Sequence, residues 1–366
     1  MRETNGTSVM TTDRARLEAA LSVGTVGLGA RTHTVVDRAN GVFTWDYART
    51  REALRQLGDL ALGSQWRSAD LPWEIDVDPE RMALSQAAVM GGFLGGADLS
   101  DTAFRSWGHR EWLDLTIESQ NWMLSQFLHG EQAALICTAK LVESVPWIDA
   151  KHCAAIQVLD EARHVDVFAR YLDTKLSGHY PINAHLRSVV DDIVADARWD
   201  MTLLGMQVML EGGALAAFGL VRHLVDEPLL VEVLRRVTRD EARHLALGVV
   251  SLREVYAQLS QPEIRDRQEF ALDATVQVID RFLAQEVWQR MGIAADQAVD
   301  LVLRSPERRM FERLLFARIV PACRHVGLLD AGDGWLRQRF NELGVLAYEE
   351  LEDDDSDSPD ERRTQG

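Results

Sequence analysis

Apolar residues recur at three- and four-residue intervals through most of the chain, and no sustained alternation rich in Val, Ile and Thr interrupts them. That pattern predicts an all-α protein. Four long helices stand out: about 110–145, stopped near Pro146; 149–176, ended before Gly178 and Pro181; 183–225, closed near Pro228; and 229–259, before Pro262. Two or three further helices fill 264–348. Residues 1–100 read instead as shorter helices broken by Gly and Pro, with Gly91, Gly92, Gly95 and Gly96 as a flexible joint. The expected organisation is a helical extension over 1–100, a bundle with C-terminal helices over 101–350, and a tail over 351–366.

Composition changes this picture only at the end of the chain. Of the formal charge of -18, part is local: residues 349 to 361 carry nine acidic side chains, a run that cannot bury enough apolar surface to order itself. The remainder is acidic too, which excludes a nucleic-acid partner, since that affinity rests on Lys and Arg neutralising phosphates. Cys137, Cys153 and Cys323 show no CxxC spacing and read as buried thiols in a reducing compartment. The stretch 203–221 is apolar enough for a membrane span, but Glu211 sits at its middle, so it reads as a bundle-core helix with no membrane partner. MRETNGTSVMTTDR lacks the apolar run of a signal peptide, and the expected location is cytoplasmic.

The chemistry lies in a repeat. DEARH occurs at 160–164 and again at 240–244, and 30 residues before each DEARH glutamate stands another glutamate, Glu131 before Glu161 and Glu211 before Glu241. Positions i and i+3 share a helix face, so Glu161 with His164, and Glu241 with His244, each aim two donor groups at one place. Pro146 lies midway between Glu131 and Glu161, which returns the two glutamates to similar heights on antiparallel arms. The second hairpin is lopsided about Pro228, and a turn beginning a residue or two earlier restores the match. Four buried carboxylates and two imidazoles destabilise a core unless paired, and two divalent cations cancel the charge. An oxygen-rich set with one imidazole per metal suits iron or manganese better than zinc. A single acid–x–x–His is weak evidence: Asp149 and His152 form such a pair and read as a helix-start acid and a surface imidazole.

At these residues, over roughly 115–258, the chain resembles the ferritin-like diiron-carboxylate superfamily. It is most similar to the branch of ribonucleotide reductase small subunits, acyl-carrier-protein desaturases and monooxygenase hydroxylase subunits. The resemblance implies a ferritin-like four-helix bundle with additional N- and C-terminal helices. It also implies bridging roles for Glu161 and Glu241 and terminal roles for Glu131 and Glu211. By the same resemblance Asp160 orients His244 and Asp240 orients His164, with Arg163 and Arg243 pairing with these aspartates. Two departures bear on subclass. Phe168 stands where radical-generating small subunits carry a tyrosine, and Gly212, Gly213, Ala214 and Leu215 offer no hydroxyl where desaturases and monooxygenases often place a threonine.

Helical spacing about the single glutamates nominates Phe127, Ala134, Gln207, Gly213 and Leu215 as pocket residues, Gln207 being the polar one. The expected activity is that of an oxygen-dependent oxidoreductase, monooxygenase-like, with two iron ions or an iron–manganese pair and dioxygen. Hydroxylation, desaturation, N-oxygenation and oxidative cleavage of a small substrate, free or carrier-bound, all fit. No nucleotide-binding fingerprint is visible, so electrons are expected from a ferredoxin or reductase. Iron storage or peroxide scavenging and radical generation stand as alternatives, and a homodimer as the assembly to test.

Overall fold

The computed structural model describes residues 6–27, 29–90 and 102–348, and among these it is helical with no strand. The Gly91–Gly96 joint and the acidic tail lie outside the described residues. Helix α1 (Gly6–Ser22) is followed by α2 (Glu52–Gly63), a short 3₁₀ turn (Ser68–Asp70) and α3 (Pro79–Met90). Then come α4 (His109–Ser144), α5 (Ile148–Lys175), α6 (Ala184–Ala195), α7 (Trp199–Leu224) and α8 (Pro228–Tyr256). The C-terminal part holds α9 (Gln261–Asp280), α10 (Gln285–Arg290), α11 (Ala295–Arg304), α12 (Pro306–His325) and α13 (Trp335–Glu342). Helices α4, α5, α7 and α8 form the bundle. Helix α2 packs on α5 and α8, α12 on the second half of α7, and α9 on α6 and the middle of α7.

The hairpin turns follow from local chemistry. Val145 is extended ahead of Pro146, as a pre-proline residue prefers, and α4 stops there. Glu227 caps α8, accepting hydrogen bonds from Leu229 N (2.8 Å) and Leu230 N (2.7 Å), and Pro228 fills the first turn. The second turn is therefore centred on Asp226, so Glu211 and Glu241 lie at equal sequence distance from it and the lopsidedness about Pro228 disappears.

Two regions depart from the periodicity. The helix expected over 183–225 is two helices, broken at Asp196–Arg198. No Pro or Gly marks the break. Instead the buried Lys140 of α4 donates to the carbonyls of Ile193 (3.3 Å), Val194 (2.8 Å) and Asp196, capping α6, while Asp196 Oδ1 accepts from Arg198 N at 2.8 Å. Residues 29–51, expected to carry helix, are irregular, with Asp37 and Asp46 each accepting from the backbone N–H two residues on. This strap is tied to the bundle by Arg49 on Asp149 (2.8 Å) and by Val42 N on Glu143 O (2.9 Å). Asp149 at the start of α5 is thus a buried anchor for the strap, and His152 is exposed.

The middle of α7, Leu203–Leu210, is π-helical, so the N–H of Glu211 bonds back to Met206 O. Gly205 is required there: a Cβ would stand 2.5 Å from Ile193 Cγ1 and 2.9 Å from Phe270 Cζ. Helix α7 is the one helix among the described residues long and apolar enough to cross a membrane, and 72% of its most apolar window is buried inside the protein. All three cysteines are buried and free.

Candidate metal centre

The structure brings all six residues of the repeat together at the centre of the bundle, each at most 5% exposed. Glu131 comes from α4, Glu161 and His164 from α5, Glu211 from α7, and Glu241 and His244 from α8. They form two overlapping clusters of four, Glu131–Glu161–His164–Glu241 and Glu161–Glu211–Glu241–His244, each with donor atoms within 4.8 Å of one another. Glu161 and Glu241 belong to both. His164 Nδ1 stands 3.0 Å from Glu131 Oε2 and 3.0 Å from Glu241 Oε1; His244 Nδ1 stands 3.0 Å from Glu161 Oε1 and 3.3 Å from Glu241 Oε2.

The outer faces of the imidazoles are held crosswise. His164 Nε2 meets Asp240 Oδ2 at 3.1 Å, and His244 Nε2 meets Asp160 Oδ2 at 3.4 Å. Each aspartate is braced by the arginine of its own pentapeptide: Arg163 bonds Asp160, and Arg243 Nη2 reaches Asp240 Oδ1 at 2.5 Å. With Nε2 engaged outward, each Nδ1 faces the carboxylates.

Three residues that sequence spacing did not nominate complete the site. The Trp66 indole N–H donates to Asp240 Oδ2 at 2.7 Å, and Gln65 Nε2 donates to Asp160 Oδ1 at 2.9 Å. Arg163 closes the loop by donating to Gln65 Oε1 (2.9 Å) and Trp66 O (2.7 Å). Gln157, one turn before Glu161, donates to Glu161 Oε1 at 2.9 Å and Glu211 Oε1 at 3.1 Å. The signal for Gln157 was its position four residues before Glu161 on the same face. Gln65 and Trp66 carried none, because their partners are far along the chain.

The electrostatics are those of a cluster short of positive charge. Burial pushes the Glu131 carboxyl up to about 8, with Glu241 adding to the push, and Glu211 is raised well above its ordinary range by burial and by Glu241 and Glu161. Burial also pushes Glu161 up, but His244 and His164 outweigh it and hold this group low. Burial favours neutral imidazoles, yet Glu131 and Asp240 at His164, and Glu161, Glu241 and Asp160 at His244, hold both rings well above the ordinary value. Glu161 Oε2, Glu211 Oε2 and Glu241 Oε1 are buried and receive no hydrogen bond. Unsatisfied carboxylate oxygens of this kind call for cations. The donor set of four carboxylates and two inward imidazole nitrogens fits two divalent ions.

Beside Glu131, Glu211 and Glu241 lies a partly open pocket, with about 400 Å³ of empty space that includes open solvent at its mouth, walled by Phe127, Ala134 and Phe218 among others. Phe127, Phe168 and Phe218 form an aromatic group with centroids 4.7 to 5.9 Å apart, so the Phe168 position carries packing rather than a phenol. The structure does not bring Gln207, Gly213 and Leu215 to this cavity. Gln207 is buried with Nε2 3.5 Å from Thr138 Oγ1, Gly213 faces Ile319 and Val278, and Leu215 is half-buried outside the lining. The π-helical turn explains the first: it places residue i−5, Met206, under Glu211 where an α-helix places residue i−4.

An all-helical bundle in which two helices each give a Glu and two others each give Glu-x-x-His has the ferritin-like carboxylate arrangement. Solved structures similar to the chain include an R2-like ligand-binding oxidase with an aerobically reconstituted metal cofactor after photoconversion, at 12% identity, covering 78% of this chain and 96% of that one, TM-score 0.46. Another is the dimanganese(II) NrdF of Streptococcus sanguinis, at 11% identity, covering 78% and 92%, TM-score 0.49. A mutant R2-like ligand-binding oxidase with an anaerobically reconstituted Mn/Fe cofactor matches at 14% identity, covering 74% and 95%, TM-score 0.42. No family model and no curated protein sequence matches the chain.

Proposed function

We propose that the chain is an oxidoreductase that holds two metal ions, iron or an iron–manganese pair, and uses them with dioxygen to oxidise a small organic substrate. The observation that carries the reading is the pair of four-residue clusters sharing Glu161 and Glu241, with both imidazoles turned inward by aspartates. The ligands are Glu131, Glu161, His164, Glu211, Glu241 and His244. Glu161 and Glu241, which belong to both clusters, would serve both ions, and Glu131 and Glu211 would serve one each. When bound, such a pair of ions supplies the binding and reduction of dioxygen.

The chain's own residues make that chemistry selective. Asp160 and Asp240 fix the tautomer and plane of each ring. Burial and neighbouring carboxylates raise the proton affinity of Glu131 and Glu211 in the metal-free chain, so cations would compete with protons for these oxygens. Gln157 holds Glu211 beside Glu161, and Phe127 and Phe218, packed with Phe168, give the pocket an aromatic wall. No nucleotide fold stands among the described elements, and a ferredoxin or reductase supplies the electrons.

The test is to load the chain with ferrous ion without air and then admit dioxygen. Two ions per chain and a transient visible absorption are expected. Failure of that transient refutes the oxygen chemistry, uptake of many irons per chain points to storage, and a stable organic radical points to the reductase-like alternative.

A further inference from the structure

One wall of the cavity carries a charge that the metal chemistry leaves unused. Arg281 opens the 3₁₀ turn after α9 (Arg281–Leu283), is 7% exposed, and lines the cavity with Phe127, Leu186, Met206, Leu210 and Glu131. Buried arginines are normally paired. Among the described residues the Arg281 guanidinium makes no ion pair, its buried Nε has no hydrogen-bond partner, and its one specific contact is the ring of Phe282, 4.5 Å from Cζ to centroid. Burial alone pushes it down to about 10.

The acids close to it in sequence are engaged elsewhere. Asp280 binds Arg16 and stands 3.8 Å from Arg308; Glu286 accepts from Trp122 Nε1 (3.0 Å) and Asn183 Nδ2 (3.0 Å). Glu131 and Glu211, which line the same pocket, belong to the metal centre.

We propose that Arg281 is the anchor for the carboxylate of an apolar organic acid that occupies this cavity. A guanidinium suits a carboxylate because its planar donors match the two oxygens, and the burial of Arg281 strengthens the pair. The apolar wall of Phe127, Leu186, Met206, Leu210 and Phe218 then takes the hydrocarbon body, which extends toward Glu131 and Glu211. A carbon remote from the carboxyl group is thereby presented to the metal centre. The inference deepens the oxidase reading and rests on it for the reaction, but not for the binding.

The test is calorimetric titration of the full chain, loaded with manganese(II) under nitrogen, with hexanoate and with 1-hexanol. Hexanoate should bind at least about tenfold more tightly, the range expected of a charge-assisted hydrogen bond. Arg281→Gln should erase that preference while keeping two metals per chain and an unchanged or higher Tm; Arg281→Lys should keep part of it. Retention of the preference in Arg281→Gln, or no binding of hexanoate to the parent chain, overturns the proposal. So does loss of metal or of fold in Arg281→Gln with recovery in Arg281→Lys, which assigns Arg281 a structural role. Hexanoate bound through Arg281 in a chain that never reacts with dioxygen overturns the oxidase reading alone.

Discussion

Hairpin α4–α5 reaches its single glutamate along an uninterrupted helix, whereas hairpin α7–α8 reaches Glu211 through a π-helical turn. The pentapeptides that follow are identical, but their surroundings are not. Asp240, which holds His164, is fastened by the Trp66 indole; Asp160, which holds His244, is fastened by Gln65 and lies farther from its ring. A repeat in sequence has become two inequivalent half-sites, through the π-helical turn before Glu211 and through the segment after α2.

The sharpest way to break this comparison is to remove a shared carboxylate and an unshared one. Glu161→Ala should bring bound metal from two ions per chain to fewer than one, while Glu131→Ala should keep one ion on the Glu161, Glu211, Glu241 and His244 side; metal analysis after gel filtration checks both. Two ions retained by Glu161→Ala would remove the bridging assignment.

Next in size is the pH dependence of the metal-free chain. Glu131 holds its proton up to about pH 8 when folded but only to about 4.5 when unfolded, so unfolding becomes easier as pH rises across that window. Both imidazoles act in the same direction: held above their ordinary 6.5, their contribution is complete below that pH and fades above it. The Tm of the metal-free chain should fall by roughly 5 °C or more between pH 5 and pH 8. Metal should abolish the fall, and Glu131→Gln should flatten its own share. A Tm that rises with pH would contradict the charge assignment.

Smallest, and most specific to the inequivalence, are Trp66→Phe and Gln65→Leu. Each should weaken one ion by about tenfold, the usual effect of losing an outer partner of a metal-bound histidine. Trp66→Phe should act on the Glu131–His164 ion and Gln65→Leu on the Glu211–His244 ion, read by stepwise metal titration. Equal effects on both ions would mean that the two halves are coupled rather than separately furnished.

The six clustered residues were legible in the sequence because helical spacing converts i, i+3 and equal hairpin arms directly into convergence. So were three of the four long helices, α4, α5 and α8, since Pro146 and Pro228 mark the turns. The break between α6 and α7 was not legible, because a lysine from another helix makes it. Gln207 was placed wrongly relative to the cavity because α-helical spacing does not hold across a π-helical turn. Gln65, Trp66 and Arg281 were illegible for a common reason: their significance is a contact, or a missing contact, with residues distant along the chain.

The short segment bearing Gln65 and Trp66 also sets what could be transplanted. A designer wishing to graft this centre onto another scaffold would naturally copy α4, α5, α7 and α8. That graft would carry all six inward-facing residues and the two bracing arginines but leave Asp160 and Asp240 each short of a donor, so its histidines would be held less firmly. The smallest portable unit is five pieces, the fifth being the short segment that follows α2.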